Sequence, residues 1–312
     1  MANKILIVKH GSFGDIILAT GAIKSVANYF PNHEIYLLTS SKYNDFMKQC
    51  PYIKNIIIDD RKSFYNIFNN FSLLRSILNN NFDYIIDFQN SKRTFLYNLL
   101  FRLLTKSLIS SSRALAHFRY LIPSQGKEHV TQGLNNQLSL IGIKNFEQPN
   151  VNWLKSQQNI DNLKINRPYV MIIPGTSKKG ISKRWSSEKY AEIAKYLITK
   201  KISIVVVGNN EDYKSASLIF ESCPEAINLL GKSPPSILYN LAENSNFIIS
   251  NDTGPAFLVA LSNKPLIWIV NDNVVSLSNH PIGKRIIKIS SKTVSDISVD
   301  LIINKIINEK LI

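Results

Sequence analysis

The chain has 312 residues, 45% of them hydrophobic and 19% charged, and its 37 Lys and Arg against 22 Asp and Glu leave a formal net charge of +15. That length exceeds what a single core usually organises, so two domains of roughly 150 residues are expected, and the composition excludes a disordered chain. No stretch reaches the roughly 18 uncharged apolar residues of a membrane span, the apolar run Ile5 to Val8 is too short for a signal sequence, and Cys50 and Cys223 suggest no disulfide framework or cysteine-based metal site, so a cytoplasmic protein is expected.

The first half alternates short β-branched runs with helical periodicity. Ile5 to Val8 reads as a buried strand, Asp15 to Tyr29 as a helix, Glu34 to Leu38 as a strand and Ser41 to Cys50 as a helix. Asn55 to Asp59 is then a strand, Asn66 to Asn79 a helix and Tyr84 to Phe88 a strand. Strands separated by helices of this length point to a parallel α/β sheet. Ligands of such sheets bind beyond the carboxyl ends of the strands, which draws attention to Lys9-His10-Gly11-Ser12-Phe13-Gly14-Asp15. Its two glycines permit a tight turn and close approach of a ligand, but it is neither a dinucleotide fingerprint nor a P-loop. Asp15 is readable from spacing alone as a helix cap. Asp59 and Asp60 read as a strand-end turn, as does Asp272. The five histidines have no metal-ligand spacing.

From Phe88 to Lys127 there is no acidic residue, while seven Lys and Arg interleave with Phe95, Leu96, Leu99, Leu100, Leu103 and Leu104. Two readings stand: a basic amphipathic stretch on a membrane surface, or a core helix with a solvated basic edge.

Glu147 to Arg167, rich in Asn, Gln and Pro, reads as the linker. A second series follows. Strands are expected at Tyr169 to Ile173, Ile202 to Val207, Phe247 to Ser250 and Leu266 to Val270. Helices are expected at Ser187 to Thr199, Asp212 to Ser222, Ser236 to Ala242 and Gly254 to Leu261, with a helical tail from Val294 to Ile312. Three of its loops could seat phosphate or ribose. Thr176 and Ser177 are followed by Lys178, Lys179, Lys183 and Arg184, hydroxyls and cations that suit a phosphate or form a solvated basic loop. Asn251-Asp252-Thr253-Gly254-Pro255 opens a helix whose amides could hold a diphosphate, or is an Asx turn with Pro at the first helical position. Gly208 to Glu211 offers a carboxylate to ribose hydroxyls, or is a surface turn.

In order along the chain, Gly14-Asp15-Ile16-Ile17-Leu18-Ala19-Thr20, Phe30-Pro31, Cys50-Pro51-Tyr52-Ile53-Lys54, Lys183-Arg184-Trp185, Leu230-Gly231-Lys232-Ser233, Asn251-Asp252-Thr253-Gly254-Pro255 and Asn263-Lys264-Pro265 resemble the heptosyltransferase family, glycosyltransferase family 9. The resemblance implies an α/β fold of two Rossmann-like doubly wound domains facing a cleft. Residues 1–155 would bind the acceptor and 166–293 the nucleotide sugar, with 294–312 a helix returning to the N-terminal domain. It implies an inverting, metal-independent glycosyltransferase without a cofactor, moving a heptose-like sugar from a nucleoside-diphosphate donor, ADP-heptose in the typical enzyme, to a lipopolysaccharide-core or related glycan acceptor.

By match, Asp15 is the implied general base and Lys183 the lysine on the leaving diphosphate. Thr176, Ser177, Lys232, Asp252, Thr253, Gly254 and Pro255 are implied donor contacts, with Glu211 on the ribose. Gly11, Ser12 and Gly14 would clear space for the acceptor, whose anionic groups would meet Arg61, Lys92, Arg113 and Arg119. The partners are therefore a nucleotide-sugar donor and an anionic glycolipid or glycan acceptor, with peripheral contact at the inner membrane and no nucleic acid. Two departures stand out. Phe257 replaces the family's usual histidine, and Asn271-Asp272-Asn273 replaces Gly-Pro-Thr after the next strand. They motivate an alternative, a catalytically silent binder of sugar nucleotide or glycan.

Overall fold

The computed structural model describes residues 3–61, 67–154 and 160–312. The chain separates into two compact units, Met1–Val151 and Asn152–Ile312, close to the expected boundary at 155. Residues 155–159 of the expected linker, and Asn66 at the start of an expected helix, lie outside the described residues.

In the first unit the apolar runs form β1 (Asn3–Val8), β2 (His33–Thr39), β3 (Asn55–Ile58), β4 (Tyr84–Asp87), β5 (Leu108–Ser111) and β6 (Phe118–Arg119). They make a six-stranded sheet of order β3-β2-β1-β4-β5-β6, parallel throughout. The crossovers carry α1 (Phe13–Tyr29), α2 (Asn44–Met47), α3 (Ile67–Leu78) and α4 (Lys92–Leu104), and α5 (Val130–Ser139) follows β6. Leu6 and Val8 pack with Ile77 of α3 and with Tyr97 and Phe101 of α4. Ile5 and Ile7, pointing the other way along a period-2 strand, are equally buried, as expected of a parallel sheet covered on both faces. The helix expected from Ser41 to Cys50 is shorter: a 3₁₀ turn at Ser41–Tyr43 precedes the four residues of α2.

The second unit repeats the design with β7 (Tyr169–Ile173), β8 (Ser203–Gly208), β9 (Ile227–Leu230), β10 (Phe247–Asn251), β11 (Leu266–Asn271) and β12 (Ile286–Ser291). Its order is β12-β11-β10-β7-β8-β9, again all parallel. Its helices are α6 (Ser187–Thr199), α7 (Tyr213–Ser222), α8 (Pro235–Asn244), α9 (Gly254–Ala260), α10 (Val274–Ser278) and α11 (Val299–Asn308).

In the second unit, α11 packs with its own sheet's helices, because Ile302, Ile306 and Leu311 complete the same core as Trp185, Tyr190 and Leu197. Trp185 Nε1 donates to the Ile297 carbonyl at 2.9 Å, fixing the approach to α11. The linker is not loose at its start. Glu147 accepts from Lys24 Nζ at 2.9 Å and from Asn28 Nδ2 at 2.8 Å, and Asn150 N donates to Thr20 Oγ1 at 3.0 Å, so this segment is strapped along α1.

Candidate functional site

Strand order reverses beside β1 and β4 in the first sheet and beside β7 and β10 in the second. At such a switch point the loops leaving the two central strands diverge and open a crevice at the carboxyl edge. The loops after β1, β7 and β10 singled out in the sequence lie at these two places, while Gly208 to Glu211 follows β8, one strand away.

In the first unit, Lys9 and His10 follow β1, and Ser12 caps α1. Asp15 Oδ2 accepts from both the Ser12 amide, at 2.8 Å, and Ser12 Oγ, at 2.9 Å. The capping role is thus realised, and it holds the carboxylate at the mouth of the loop. Gly11 has φ of +123°, and a Cβ there would stand 2.5 Å from the Tyr43 ring, so the turn requires glycine. Tyr43 stacks on Phe13 with ring centroids 6.0 Å apart and walls the loop. Burial raises the Tyr43 phenol above its ordinary pKa, with Arg61 pulling it down and Asp15 pushing it up. Behind the loop, Lys9 is buried and its Nζ donates to the Phe88 carbonyl at 3.2 Å. Burial lowers the Lys9 pKa, opposed by the fields of Asp15 and of Asp87.

Asp59 departs from its reading as a plain strand-end turn. It does close the turn, accepting from the Arg61 amide at 2.8 Å, but it is also buried and anchors three distant side chains. Its Oδ2 accepts from Tyr97 Oη at 2.6 Å and lies 2.7 Å from His10 Nε2, which places a proton on that nitrogen. Arg93 Nη2 donates to Oδ1 at 3.2 Å. Burial alone would raise the Asp59 pKa, yet the His10, Tyr97 and Arg61 hydrogen bonds outweigh it and hold the carboxyl well below the usual range. Asp87, at the end of β4, goes the other way. Burial raises its pKa although Gln89 N, Asn90 N and Ser111 Oγ all donate to it.

The four expected acceptor cations are spread along this edge rather than gathered. Arg61 and Lys92 are exposed beyond β3 and β4. Arg113 Nη2 donates to the Asn90 carbonyl beyond β5, and Arg119 Nε lies 3.4 Å from the Ser112 carbonyl. Sequence reasoning missed His10, Asp59, Arg93 and Tyr97. Only an acid at the carboxyl end of a strand hinted at them.

In the second unit the grouping is tighter. Lys183 Nζ donates to Asp252 Oδ2 at 2.6 Å, joining the expected diphosphate lysine to the expected donor loop. Thr176 is buried. Its Oγ1 accepts from Arg184 Nε at 2.9 Å and its carbonyl from Arg184 Nη2 at 2.9 Å, so Arg184 is committed to shaping the loop. Asn251 spans the switch point, its Nδ2 donating to the Pro174 carbonyl at 2.7 Å and its Oδ1 accepting from Trp185 N at 3.0 Å. Thr253 caps α9 with extended backbone, followed by Gly254 and Pro255 in the first turn.

Ser177 is exposed on the loop, and Glu211 is exposed and ion-paired with Lys178 at 3.2 Å. Lys232 is exposed on the turn after β9. A missed residue, Asp212, accepts from Asn209 N at 2.8 Å, and its carboxyl lies against the α-carbon of Gly175, where a Cβ would collide with it. Asn271 braces the loop that carries Lys183, with its Nδ2 lying 3.4 Å from the Ser182 carbonyl and its Oδ1 accepting from Val294 N at 3.2 Å. Phe257 is buried inside α9.

Comparison with known proteins places the chain in a wider group. Residues 70–296 match the profile of glycosyltransferase family 9 (heptosyltransferase). Lipooligosaccharide heptosyltransferase 2 of Haemophilus influenzae is 31% identical over 106 residues, which is 32% of this chain and 30% of that protein. Among solved structures, Escherichia coli ADP-heptose lps heptosyltransferase II superposes with a TM-score of 0.79 at 18% identity, covering 99% of this chain and 98% of the other. A glycosyl transferase family 9 structure from Veillonella parvula gives 0.82 at 17% identity, covering 99% and 97%. At those identities the structures speak for the fold.

Proposed function

This chain belongs to glycosyltransferase family 9, the heptosyltransferases, and on that premise we propose that it moves a heptose-like sugar, with inversion and without a metal, from a nucleoside-diphosphate donor to a lipopolysaccharide-core or related anionic glycan. The observation that carries this reading is the Lys183–Asp252 pair at the second switch point, which holds a cation where a diphosphate would sit, beside the loop that Arg184 braces through Thr176. ADP is the favoured nucleotide, since the Escherichia coli enzyme of the same fold is named for ADP-heptose.

In this reading the acceptor hydroxyl oxygen gives its electron pair to the anomeric carbon while the bond from that carbon to the diphosphate oxygen breaks, and its pair leaves with the diphosphate. Asp15 takes the hydroxyl proton as the new bond forms. Lys183 and the amides opening α9 balance the charge growing on the leaving group. The Ser12 hydrogen bonds keep the Asp15 carboxylate oriented and hydrogen-bonded until an acceptor arrives.

The test pairs binding with turnover. Calorimetric titration with ADP, UDP, GDP and CMP should give ADP the tightest binding. Asp15→Asn should leave that binding intact while transfer falls roughly 10²- to 10⁴-fold; transfer at the parental rate would overturn the assignment. One second reading, nucleotide binding without transfer, is motivated by Phe257 and by Asn271 to Asn273, which replace the family's usual histidine and Gly-Pro-Thr. Turnover of a nucleotide sugar by the unaltered protein removes it.

A further inference from the structure

In the first unit, His10 is held from three directions. Its ring Nε2 lies 2.7 Å from Asp59 Oδ2, its amide donates to Gln89 Oε1 at 2.9 Å, and Ser40 Oγ lies 3.5 Å from its carbonyl. Asp59 follows β3, Gln89 follows β4 and Ser40 follows β2, so this one residue ties the loop after β1 to the ends of three other strands. Gly11 comes next, and Ser12 after it holds the Asp15 carboxylate. From Asp59 to Asp15 the linkage is continuous: a buried carboxylate, an imidazole, a turn that requires glycine, and a helix cap.

Stability alone does not account for this arrangement. His10 is fully buried, and with the proton on Nε2 its Nδ1 is an acceptor that has no hydrogen-bond partner among the described residues, which opposes folding. Asp59 is a buried carboxylate, and apolar side chains packed in such a place are often as stabilising as a charged set. What a carboxylate with several donors supplies is direction. Asp59 also accepts from the Arg61 amide and from Arg93 Nη2. The segments that carry Arg61 and Lys92, two cations expected to meet the acceptor, are therefore set from the same carboxylate as the Asp15 loop.

We propose that His10 is a positioning residue for sugar transfer: held by Asp59, it fixes the Gly11 turn and so aims the Asp15 carboxylate at the acceptor hydroxyl. His10 is buried and acts through Asp15. The inference rests on the transfer reading and adds to it the residue that aligns the base. A displacement of about 1 Å at a reacting group can cost roughly 10²-fold in rate, and a loop held by its own cap alone would permit one.

Transfer by the full chain is measured with ADP-heptose and isolated lipopolysaccharide-core oligosaccharide, with ADP affinity by calorimetry and Tm alongside. His10→Leu, which loses the ring donor, should lower kcat roughly 10- to 100-fold and leave ADP affinity unchanged. His10→Gln, whose amide can donate in place of Nε2, should restore most of kcat. In an Asp15→Asn background, His10→Leu should add less than about twofold, since residues acting through one step are not additive. A merely structural role would lower Tm and the active fraction alike in both backgrounds. Where His10→Leu does not fold, Tyr97→Phe, which removes another donor from Asp59, takes its place in the same cycle. Parental kcat in the folded variant, a loss confined to KM, no recovery by glutamine, or equal losses in both backgrounds overturns the proposal. Parental transfer by Asp15→Asn, or no transfer by the parent, instead overturns the preceding reading and this one with it.

Discussion

Asp59 closes a turn and at the same time gathers His10, Arg93 and Tyr97, residues 49, 34 and 38 positions away in the chain. The turn was legible because its partner, Arg61, is two residues on. The rest was not, since pattern carries no information about which distant side chains a strand end will meet. Replacing the carboxylate by an amide removes the buried charge and sets an NH2 donor against partners that themselves donate, so Asp59→Asn should cost about 3 kcal/mol in denaturant unfolding.

The pH dependence has a definite sign. A carboxyl whose folded pKa is depressed contributes stability that is present above its unfolded pKa, about 3.9, and is lost as pH falls through its folded value. The parent should therefore lose stability steeply on acidification, and Asp59→Asn should flatten that limb. Asp87, raised by burial, acts in the opposite sense and is common to both proteins, so it cancels in the difference. In the second crevice, Lys183→Ala should lower transfer roughly 10²- to 10³-fold. A loss confined to KM would place Lys183 in ground-state binding only.

Strands and helices with strong period were legible to within a few residues, β1, α1, β7 and α6 among them, because burial on both sheet faces writes continuous apolar runs. Elements lacking such runs were missed: β6 has two residues, and β12 alternates buried and exposed positions. The Gly11 loop was legible as a turn, but not its reason, the Tyr43 ring packed against the α-carbon. Gly11→Ala should cost about 1–3 kcal/mol from the strained φ alone, read as a lower Tm. Asn251 was read as part of a donor loop, whereas its side chain ties that loop to Pro174 and Trp185. Asn251→Ala should thus weaken nucleotide binding without removing any group expected to touch the nucleotide, and calorimetry would show unchanged affinity if the tie is incidental.

At the scale of the molecule, each unit has its own buried core, one centred on β1, α3 and α4 and the other on β7, α6 and α11. Two domains followed from length and from the repeated strand and helix alternation. The burial of Ile302 and Ile306 in the second core was not legible in its partners, since their spacing announces that a helix will be buried but not against which side chains. If nucleotide binds the second unit alone, ADP at 100 times its Kd should add about 2.7 kcal/mol to that unit's unfolding. In calorimetry the other core should melt where it did before.

The contact between Gly175 and Asp212 has a consequence for any attempt to redesign the donor preference. The loop after β7 and the loop after β8 touch where a bare α-carbon meets a carboxyl group, so they behave as one casting rather than two adjustable parts. Glu211, which is exposed, is the residue free to vary, whereas Asn210 lies against the α-carbon of Gly231 as Asp212 does against Gly175. Asp212 and Gly175 must be inherited together, because a bulkier partner on either side would displace the loop proposed to meet the diphosphate.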